Sequence, residues 1–116
     1  NIASNAVKDG QEIVIKGVPV KVIGKDHAII FQKSPCLNHG FHISNRFFFP
    51  GDALTIPHVS IEILALPVAA PWLKLSDSIE YALRVKPKKC FPVHDGGLKN
   101  TAPTNNREAV SFFEIN

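Results

Sequence analysis

Asn45-Arg46-Phe47-Phe48-Phe49-Pro50-Gly51-Asp52 is the stretch of sequence that decides the fold predicted for this chain. Its three consecutive phenylalanines are typical of a strand that is covered on both faces. Pro50 has no amide hydrogen to donate, so strand pairing should end there. The break places a carboxylate, Asp52, at the rim of a sheet, although Gly-Asp after a strand is also typical of a plain turn.

The composition indicates a globular domain of short elements. Of the 116 residues, 45% are hydrophobic and 20% are charged, which excludes a disordered chain. Nine prolines and seven glycines favour many turns over a bundle of long helices. We therefore expect residues 1–116 to form a single domain. The absence of methionine and an asparagine at position 1 predict that this domain is part of a longer translation product.

Composition also limits the partners and the compartment. The longest apolar run, residues 63–70, is interrupted by Pro67 and is too short to span a bilayer, so no membrane partner is expected. Only two cysteines are present, Cys36 and Cys90, which predicts reduced thiols and a cytoplasmic location. The net charge is +3, but the basic residues are scattered, so no nucleic-acid partner is expected.

Hydrophobic periodicity predicts strands first and then a strand, helix, strand unit. We expect two hairpins, a third strand or strand end near His27, a buried strand stopped by Pro67, and a last short strand. These strands are predicted at residues 12–15 and 18–23, 27–31, 40–44 and 46–49, 61–66, and 89–93. Residues 108–115 are predicted to form a short terminal helix or strand. This order indicates a layered α/β or α+β domain.

One convincing helix is predicted at residues 75–85. Ser76 is expected to cap it, and Pro87 follows its end. Its buried side is expected to be a single apolar stripe, made by Leu75, Ile79, Ala82 and Leu83.

Three side chains fall at the ends of predicted strands, where a layered domain places its functional groups: His27, Asp52 and His94. Imidazole nitrogens and carboxylate oxygens are good zinc ligands, and two histidines with one aspartate make a partial ligand set. His39 and His58, in loops, are alternatives. His42 lies on the polar side of an alternating strand and is expected to be solvated.

The order of these motifs resembles the C-terminal half of a metallo-β-lactamase-fold hydrolase, and most closely the ascorbate-phosphate-lactonase-like group. The resemblance covers about residues 18–97. It rests on a histidine after a strand, a Gly-Asp after the next hairpin, and a Pro-x-His that closes a strand after a helix. Here these motifs are His27, Gly51-Asp52 and Pro92-Val93-His94.

This resemblance implies half of an αββα sandwich, with a mixed, mostly antiparallel sheet and one main helix packed on it. It also implies two metal ions, usually zinc, with manganese or iron as alternatives. His27 would bind the first ion, Asp52 would bridge both, and His94 would bind the second. A metal-bound hydroxide would then attack a carbonyl or phosphoryl centre of a small-molecule substrate.

One departure from the family is large, because its His-x-His-x-Asp-His motif is absent and no histidine precedes His27. We therefore expect the chain to be a fragment of a metal-dependent hydrolase, inactive by itself. The alternative is a non-catalytic half-domain that associates, for example as a homodimer, through the sheet face that the missing half would cover.

Overall fold

The structure is a computed structural model, and it describes residues 3–96. Six strands and one helix follow one another along this part of the chain. Their bounds are β1 Glu12–Ile15, β2 Val18–Ile23, β3 Gly40–Ile43, β4 Phe47–Phe49, β5 Ile63–Pro67, α1 Leu75–Val85 and β6 Lys89–Val93. The two predicted hairpins, the helix and the last strand are confirmed. The segment predicted at residues 108–115 lies outside the described residues.

The strands form one sheet in sequence order, β1-β2-β3-β4-β5-β6. Strands β1 to β4 pair antiparallel, whereas β4 with β5 and β5 with β6 pair parallel. The prediction of a mixed, mostly antiparallel sheet with one helix is therefore confirmed. The parallel pair β5 and β6 is joined through α1, as a parallel connection requires a crossover.

The turn between β3 and β4 fixes the register of the central hairpin. Ser44 and Asn45 have φ angles of 54° and 55°, and the amide of Arg46 donates to the carbonyl of Ile43 at 3.1 Å. The loop has three residues, and the two left-handed residues that begin it match the right-handed twist of the flanking strands. As a result Phe48 pairs with His42, and Phe47 pairs with Ile43.

One face of the sheet, the helix-covered face, carries the core. Phe48, Leu64 and Leu66 are fully buried there, against Tyr81 and Ala82 of α1. Side chains alternate between faces along a strand, so Phe47 and Phe49 point away from this core and are only half-buried. The prediction that all three phenylalanines are covered on both faces is therefore wrong for residues 3–96, since only Phe48 is fully enclosed.

The opposite face, here called the open face, is almost wholly apolar. Register pairing places one residue from each strand in a continuous row across it, and the members of the row are Ile13, Val20, Ile43, Phe47, Ile63 and Lys89. Phe47 and Phe91 stack on this face with their ring centroids 6.0 Å apart. Phe91 nevertheless remains 43% exposed. Val20, in the same row, is only 8% exposed, so the described residues cover this face in part.

Helix α1 differs from its prediction at its start and on its buried side. Its N-cap is Lys74, not Ser76, and the Asp77 side chain accepts a hydrogen bond from the Lys74 amide. Its buried residues are Ser78, Tyr81 and Ala82. The predicted apolar stripe is wrong at Leu83, which is 51% exposed. The buried side of the helix therefore differs from the predicted stripe. It includes Ser78 and Tyr81, whose hydroxyls each donate a hydrogen bond to a backbone carbonyl beneath the helix.

Two further predictions are corrected by the fold. Residues 27–31 form no strand, because the chain turns back at Phe31 and Gln32, both with positive φ, and only isolated bridges pair Asp26 with Leu37 and Ile30 with Lys33. His42 is buried, with 6% of its surface exposed. The alternation of apolar and polar residues predicts that His42 faces solvent. It lies instead on the helix-covered face.

In the described part of the chain, no helix combines the length and the apolar character that crossing a bilayer requires.

Candidate metal centre

The three predicted ligands lie at the same end of the sheet, because the strands that precede them run in the same direction. Strands β2, β4, β5 and β6 all run the same way, since β2 and β4 are both antiparallel to β3 and the last three are parallel. His27 follows β2, Asp52 follows β4 and His94 follows β6. The ends of parallel-running strands meet at the same edge, and loops there are the usual place for functional groups.

His27 is held in a defined orientation within the β2–β3 connection. Its Nδ1 lies 2.8 Å from the carbonyl oxygen of Ala28, which requires the hydrogen to be on Nδ1. Its amide donates to the Cys36 carbonyl at 3.1 Å, and the Ser34 hydroxyl donates to the His27 carbonyl at 3.0 Å. The other ring nitrogen, Nε2, faces Asp52 and lies 3.5 Å from Oδ2. A carbonyl that fixes the tautomer in this way is typical of metal-binding histidines.

The turn that carries Asp52 is clasped by the side chain of Asn38. The Asn38 Nδ2 donates to the Pro50 carbonyl, and its Oδ1 accepts from the Asp52 amide, both at 2.9 Å. Gly51 has a φ of 71°, and a Cβ at this position would lie 2.3 Å from Asn38 Oδ1. Only glycine therefore fits at this position, next to the side-chain amide of Asn38. The Asp52 carbonyl in turn accepts from the Ala28 amide at 2.8 Å, which ties the turn to the His27 loop.

His94 reaches the same carboxylate from the end of β6. Its φ is 64°, an uncommon value for a non-glycine residue, and it turns the chain sharply after the strand. Its Nε2 contacts Asp52 Oδ1. A left-handed histidine costs free energy, and such costs concentrate at functional sites.

The geometry fits a carboxylate that is shared between two cations. Each oxygen of Asp52 faces one imidazole, Oδ2 facing His27 and Oδ1 facing His94. Oδ1 is buried, and the group that contacts it is the His94 imidazole. Two ligand atoms on one zinc ion lie about 3.4 Å apart, close to the 3.5 Å between His27 Nε2 and Asp52 Oδ2.

A single three-ligand ion does not fit these residues. Within residues 3–96, no three His, Cys, Asp or Glu side chains are grouped as one metal ion would require. The two imidazoles flank the carboxylate instead of converging on one point. Each ion of a shared pair would therefore take one imidazole and one carboxylate oxygen from this chain, fewer than the three protein ligands usual for catalytic zinc.

A cleft of about 530 Å³ opens beside the three side chains, and its remaining wall is apolar. Pro71 and Trp72 occupy the middle of a tight turn, closed by a 3.0 Å hydrogen bond from the Leu73 amide to the Ala70 carbonyl. The turn places the Trp72 ring edge-on to His27, with centroids 6.0 Å apart. His27 is thereby shielded, with 12% of its side chain exposed, whereas the side chain of Asp52 is 38% exposed.

The other histidines stay away from the cleft. His39 is half-buried, and its Nδ1 lies 2.6 Å from the Gly24 carbonyl, a structural contact. His58 is exposed on the surface. His42 lies within the sheet, where its Nε2 is buried without a hydrogen-bond partner among the described residues. Burial, with a smaller contribution from the charge of Lys21, lowers the pKa of the His42 imidazole below its ordinary value.

Two residues of the site were missed in the sequence. Asn38 gives no local signal, because its partners are twelve and fourteen residues away. Trp72 follows Pro71, and a Pro-x pair in a loop predicts a turn but not what the turn faces.

Comparisons with known proteins identify the fold. No family model matches the sequence. Protein Rv0786c of Mycobacterium tuberculosis (strain ATCC 25618 / H37Rv) is 33% identical over 95 residues, which cover 77% of this chain and 45% of that protein. The chain therefore spans about half the length of this relative.

Two solved structures share the architecture. Igni18, a metallo hydrolase of the hyperthermophilic archaeon Ignicoccus hospitalis, superimposes with a TM-score of 0.56 at 10% identity, over 78% of this chain and 44% of that one. A candidate Zn-dependent hydrolase of the metallo-beta-lactamase superfamily from Thermotoga maritima gives a TM-score of 0.54 at 16% identity, over 87% and 53%. The predicted α/β fold is confirmed: the chain has the architecture of about half of a metallo-β-lactamase-type domain.

Proposed function

We propose that this chain supplies His27, Asp52 and His94 to the metal centre of a hydrolase, with Asp52 shared between two ions. The observation that carries the proposal is the Asp52 carboxylate, which meets a different imidazole at each oxygen. The tautomer of His27 and the clasp of Asn38 support it, because both hold ligand atoms in place before any ion binds. Assignment to the ascorbate-phosphate-lactonase-like group rests on the sequence motifs alone.

A bound metal ion in such a site would supply an acidified water and polarise a carbonyl or phosphoryl oxygen. The chain's own residues do the rest. His27 presents Nε2 because Nδ1 is bound to the Ala28 carbonyl. Trp72 excludes water from one side of His27, and the Asp52 side chain lines the cleft with 38% of its surface exposed. Zinc suits this nitrogen and oxygen donor set, and manganese or iron would also be accepted.

The remaining ligands are proposed to come from a part of the protein outside this chain. This chain alone should therefore bind zinc weakly and lack hydrolase activity on a small-molecule substrate. Dialysis against a chelator should remove the metal without unfolding the protein, measured by metal content and far-UV circular dichroism. Tightly retained stoichiometric metal would show instead that the ligand set is complete within these residues.

Zinc titration of variants tests which residues bind. Asp52→Asn removes the shared charge, and His94→Gly removes an imidazole at a position whose positive φ suits glycine. Both should weaken zinc binding at least tenfold in competition with a chromogenic chelator. His58→Asn, a change at an exposed histidine, is the matched control and should bind as the parent chain does. Equal affinity in all four proteins would refute the proposed ligand set.

The coding frame before Asn1 tests the source of the other ligands. The proposal expects that frame to encode a His-x-His-x-Asp-His segment. A frame without one would remove the hydrolase version of the proposal, even if the three residues bind zinc.

The open face favours a second candidate function, association without catalysis. A groove of about 770 Å³ runs along it, lined by Ile13, Ile15, Val20, Phe41 and Ile43. A second copy carries the same apolar face, so two copies could pack their sheets into a sandwich with an isologous interface. Sedimentation at micromolar concentration tests this function. A homodimer would support it, and a well-behaved monomer would argue against it.

A further inference from the structure

The rest of the cleft wall, beyond the candidate ligands, has a composition that the metal chemistry does not use. Five of its lining residues are apolar, namely Ile30, Ala69, Ala70, Pro71 and Trp72. No lysine or arginine of residues 3–96 lines it. Its volume of about 530 Å³ lies within the range of small-molecule sites, which are mostly apolar with a few polar groups.

The apolar wall is built by two separate turns. Pro71 and Trp72 project from the turn after β5, and Ile30 begins a tight turn closed by a 3.1 Å hydrogen bond from its amide to the Lys33 carbonyl. Phe31 and Gln32 in that turn have φ angles of 44° and 69°, which is costly for residues with side chains. Asparagine and glycine would form such a turn at lower cost. The neighbouring side chain of Phe31 is 87% exposed. Both turns therefore contribute apolar side chains to the lining of the cleft, Ile30 from one and Pro71 and Trp72 from the other.

Without a metal ion, the charge in the cleft disfavours anions. Asp52 is the acidic residue that lines it, and no lysine or arginine of the described residues joins the two histidines there. A phosphoryl group is commonly held by arginine or lysine. A neutral acyl group needs no such partner and would gain from contact with Ile30 and Trp72.

We propose that the cleft is a subsite for the apolar acyl chain of an ester, thioester or lactone, with Ile30 and Trp72 determining specificity. The reaction rests on the proposed hydrolase function: one water is consumed, the bond from the acyl carbon to its leaving oxygen or sulfur breaks, and a carboxylic acid and an alcohol or thiol form. The subsite itself does not depend on a metal ion.

Trp72 is the single tryptophan of the chain, so its fluorescence reports ligands in the cleft directly. The probes are N-methyl alkanamides of four to eight acyl carbons, neutral mimics of the substrate that are not readily cleaved, titrated into the 116-residue chain in the presence of chelator. The dissociation constant should fall between about two- and fourfold for each added methylene. Butyl phosphate should bind at least about tenfold more weakly than N-methylbutanamide, because the metal-free cleft offers it no lysine or arginine.

Adjacent isoleucines provide a matched pair of variants. Ile30→Ser should weaken binding of the longest amide about fivefold and flatten the dependence on chain length, because Ile30 lines the cleft. Ile29→Ser should change neither, because Ile29 is 69% exposed and does not line it. Affinity independent of chain length, equal effects of the two substitutions, or butyl phosphate binding as tightly as the amide would each overturn the inference.

Zinc titration of the same proteins, in buffer without chelator, separates this inference from the proposed function. Length-dependent amide binding without zinc binding would leave the subsite standing and remove the metal centre. Zinc binding that needs Asp52, with no length-dependent amide binding, would do the reverse.

Discussion

Asn38 is the residue on which the geometry of Asp52 most depends. It donates to Pro50 and accepts from Asp52, so a single amide fixes both ends of the turn. We predict that Asn38→Ala lowers the free energy of unfolding by about 1–3 kcal/mol, because two hydrogen bonds are lost. Zinc affinity should fall about 10- to 100-fold, because the carboxylate is no longer oriented. Urea denaturation and the zinc titration measure the two effects.

A second asparagine provides the control for that prediction. Asn45 is exposed in the β3–β4 turn, at the opposite edge of the sheet, with a φ of 55°. Asn45→Gly should leave zinc affinity unchanged. A loss of affinity as large as that of Asn38→Ala would show that general loosening of the sheet, and not the clasp, is responsible.

His42 should make the stability of the chain depend on pH. Burial lowers the pKa of its imidazole in the folded state, with a further contribution from Lys21 on β2, while Phe48 on β4 gives it no polar partner. Between this lowered pKa and the ordinary value of the unfolded chain, the unfolded chain binds more protons. The free energy of unfolding therefore increases as the pH rises through that window and decreases as the pH falls through it.

Replacing this histidine tests the sign. His42→Leu should flatten the pH dependence of urea unfolding between about pH 5 and pH 7 and should stabilise the chain most at the acidic end. His58→Asn, at an exposed site, should leave the dependence as it is. The measured quantity is the free energy of unfolding of the parent chain minus that of His42→Leu. A larger difference at pH 5 than at pH 7 would contradict this account.

At this scale the sequence predicted the identity of the clustered residues but not their support. His27, Asp52 and His94 could be named because each follows an apolar run that ends at a turn signal. Asn38 could not, because its contacts join segments that are distant in the sequence. His42 was predicted as solvated because alternation distinguishes two faces without showing which of them the helix covers.

Among the elements, α1 supports the segment that follows Asp52. Tyr81 is buried and donates to the Thr55 carbonyl at 2.6 Å, and Ser78 donates to the Pro67 carbonyl at 2.8 Å. Burial also raises the pKa of the Tyr81 phenol, which keeps it protonated as a donor. These two bonds attach one helix to the segment after β4 and to the end of β5.

We predict that Tyr81→Phe lowers the free energy of unfolding by about 1–2 kcal/mol, because the Thr55 carbonyl loses its donor with little change in packing. Ser76→Ala, on the exposed side of the same helix, should change it by less than about 0.5 kcal/mol, because Lys74 and not Ser76 is the N-cap. Thermal or urea unfolding measures both. A larger effect at Ser76 than at Tyr81 would mean that the cap has been assigned to the wrong residue.

The elements themselves were largely predictable, and the reason is local. Lys16-Gly17 is a two-residue turn and Ser44-Asn45 begins a three-residue turn, each between apolar runs, so both hairpins follow from short-range sequence. Residues 27–31 are equally apolar but form no strand. Their run ends in a turn at Phe31 and Gln32, residue types that do not announce positive φ.

The whole molecule is defined by the difference between its two sheet faces. On the helix-covered face the row from β1 to β6 passes from polar to apolar, through Glu12, Lys21, His42, Phe48, Leu64 and Cys90. On the open face the corresponding row is apolar from β1 to β5. No local pattern could show that residues 3–96 cover the second row only in part, since coverage depends on what packs against the sheet.

If the open face mediates self-association, a charge at its centre should abolish it. Ile43→Lys places a cation in the middle of the apolar row and should convert any dimer to a monomer in sedimentation equilibrium. Leu83→Lys, at an exposed position on α1, is the control and should leave the dimer intact. Dissociation by Leu83→Lys alone would move the interface to the helix.

The central claim is that His27 and His94 bind metal ions on either side of Asp52, and nitrogen NMR of the five histidine rings tests it most directly. In the metal-free chain, His27 should carry its hydrogen on Nδ1. Zinc should then shift the Nε2 resonances of His27 and His94, leave those of His39, His42 and His58 in place, and have no effect in Asp52→Asn. Shifts at His39 or His58 in place of His27 and His94, or the same shifts in Asp52→Asn, would contradict the account.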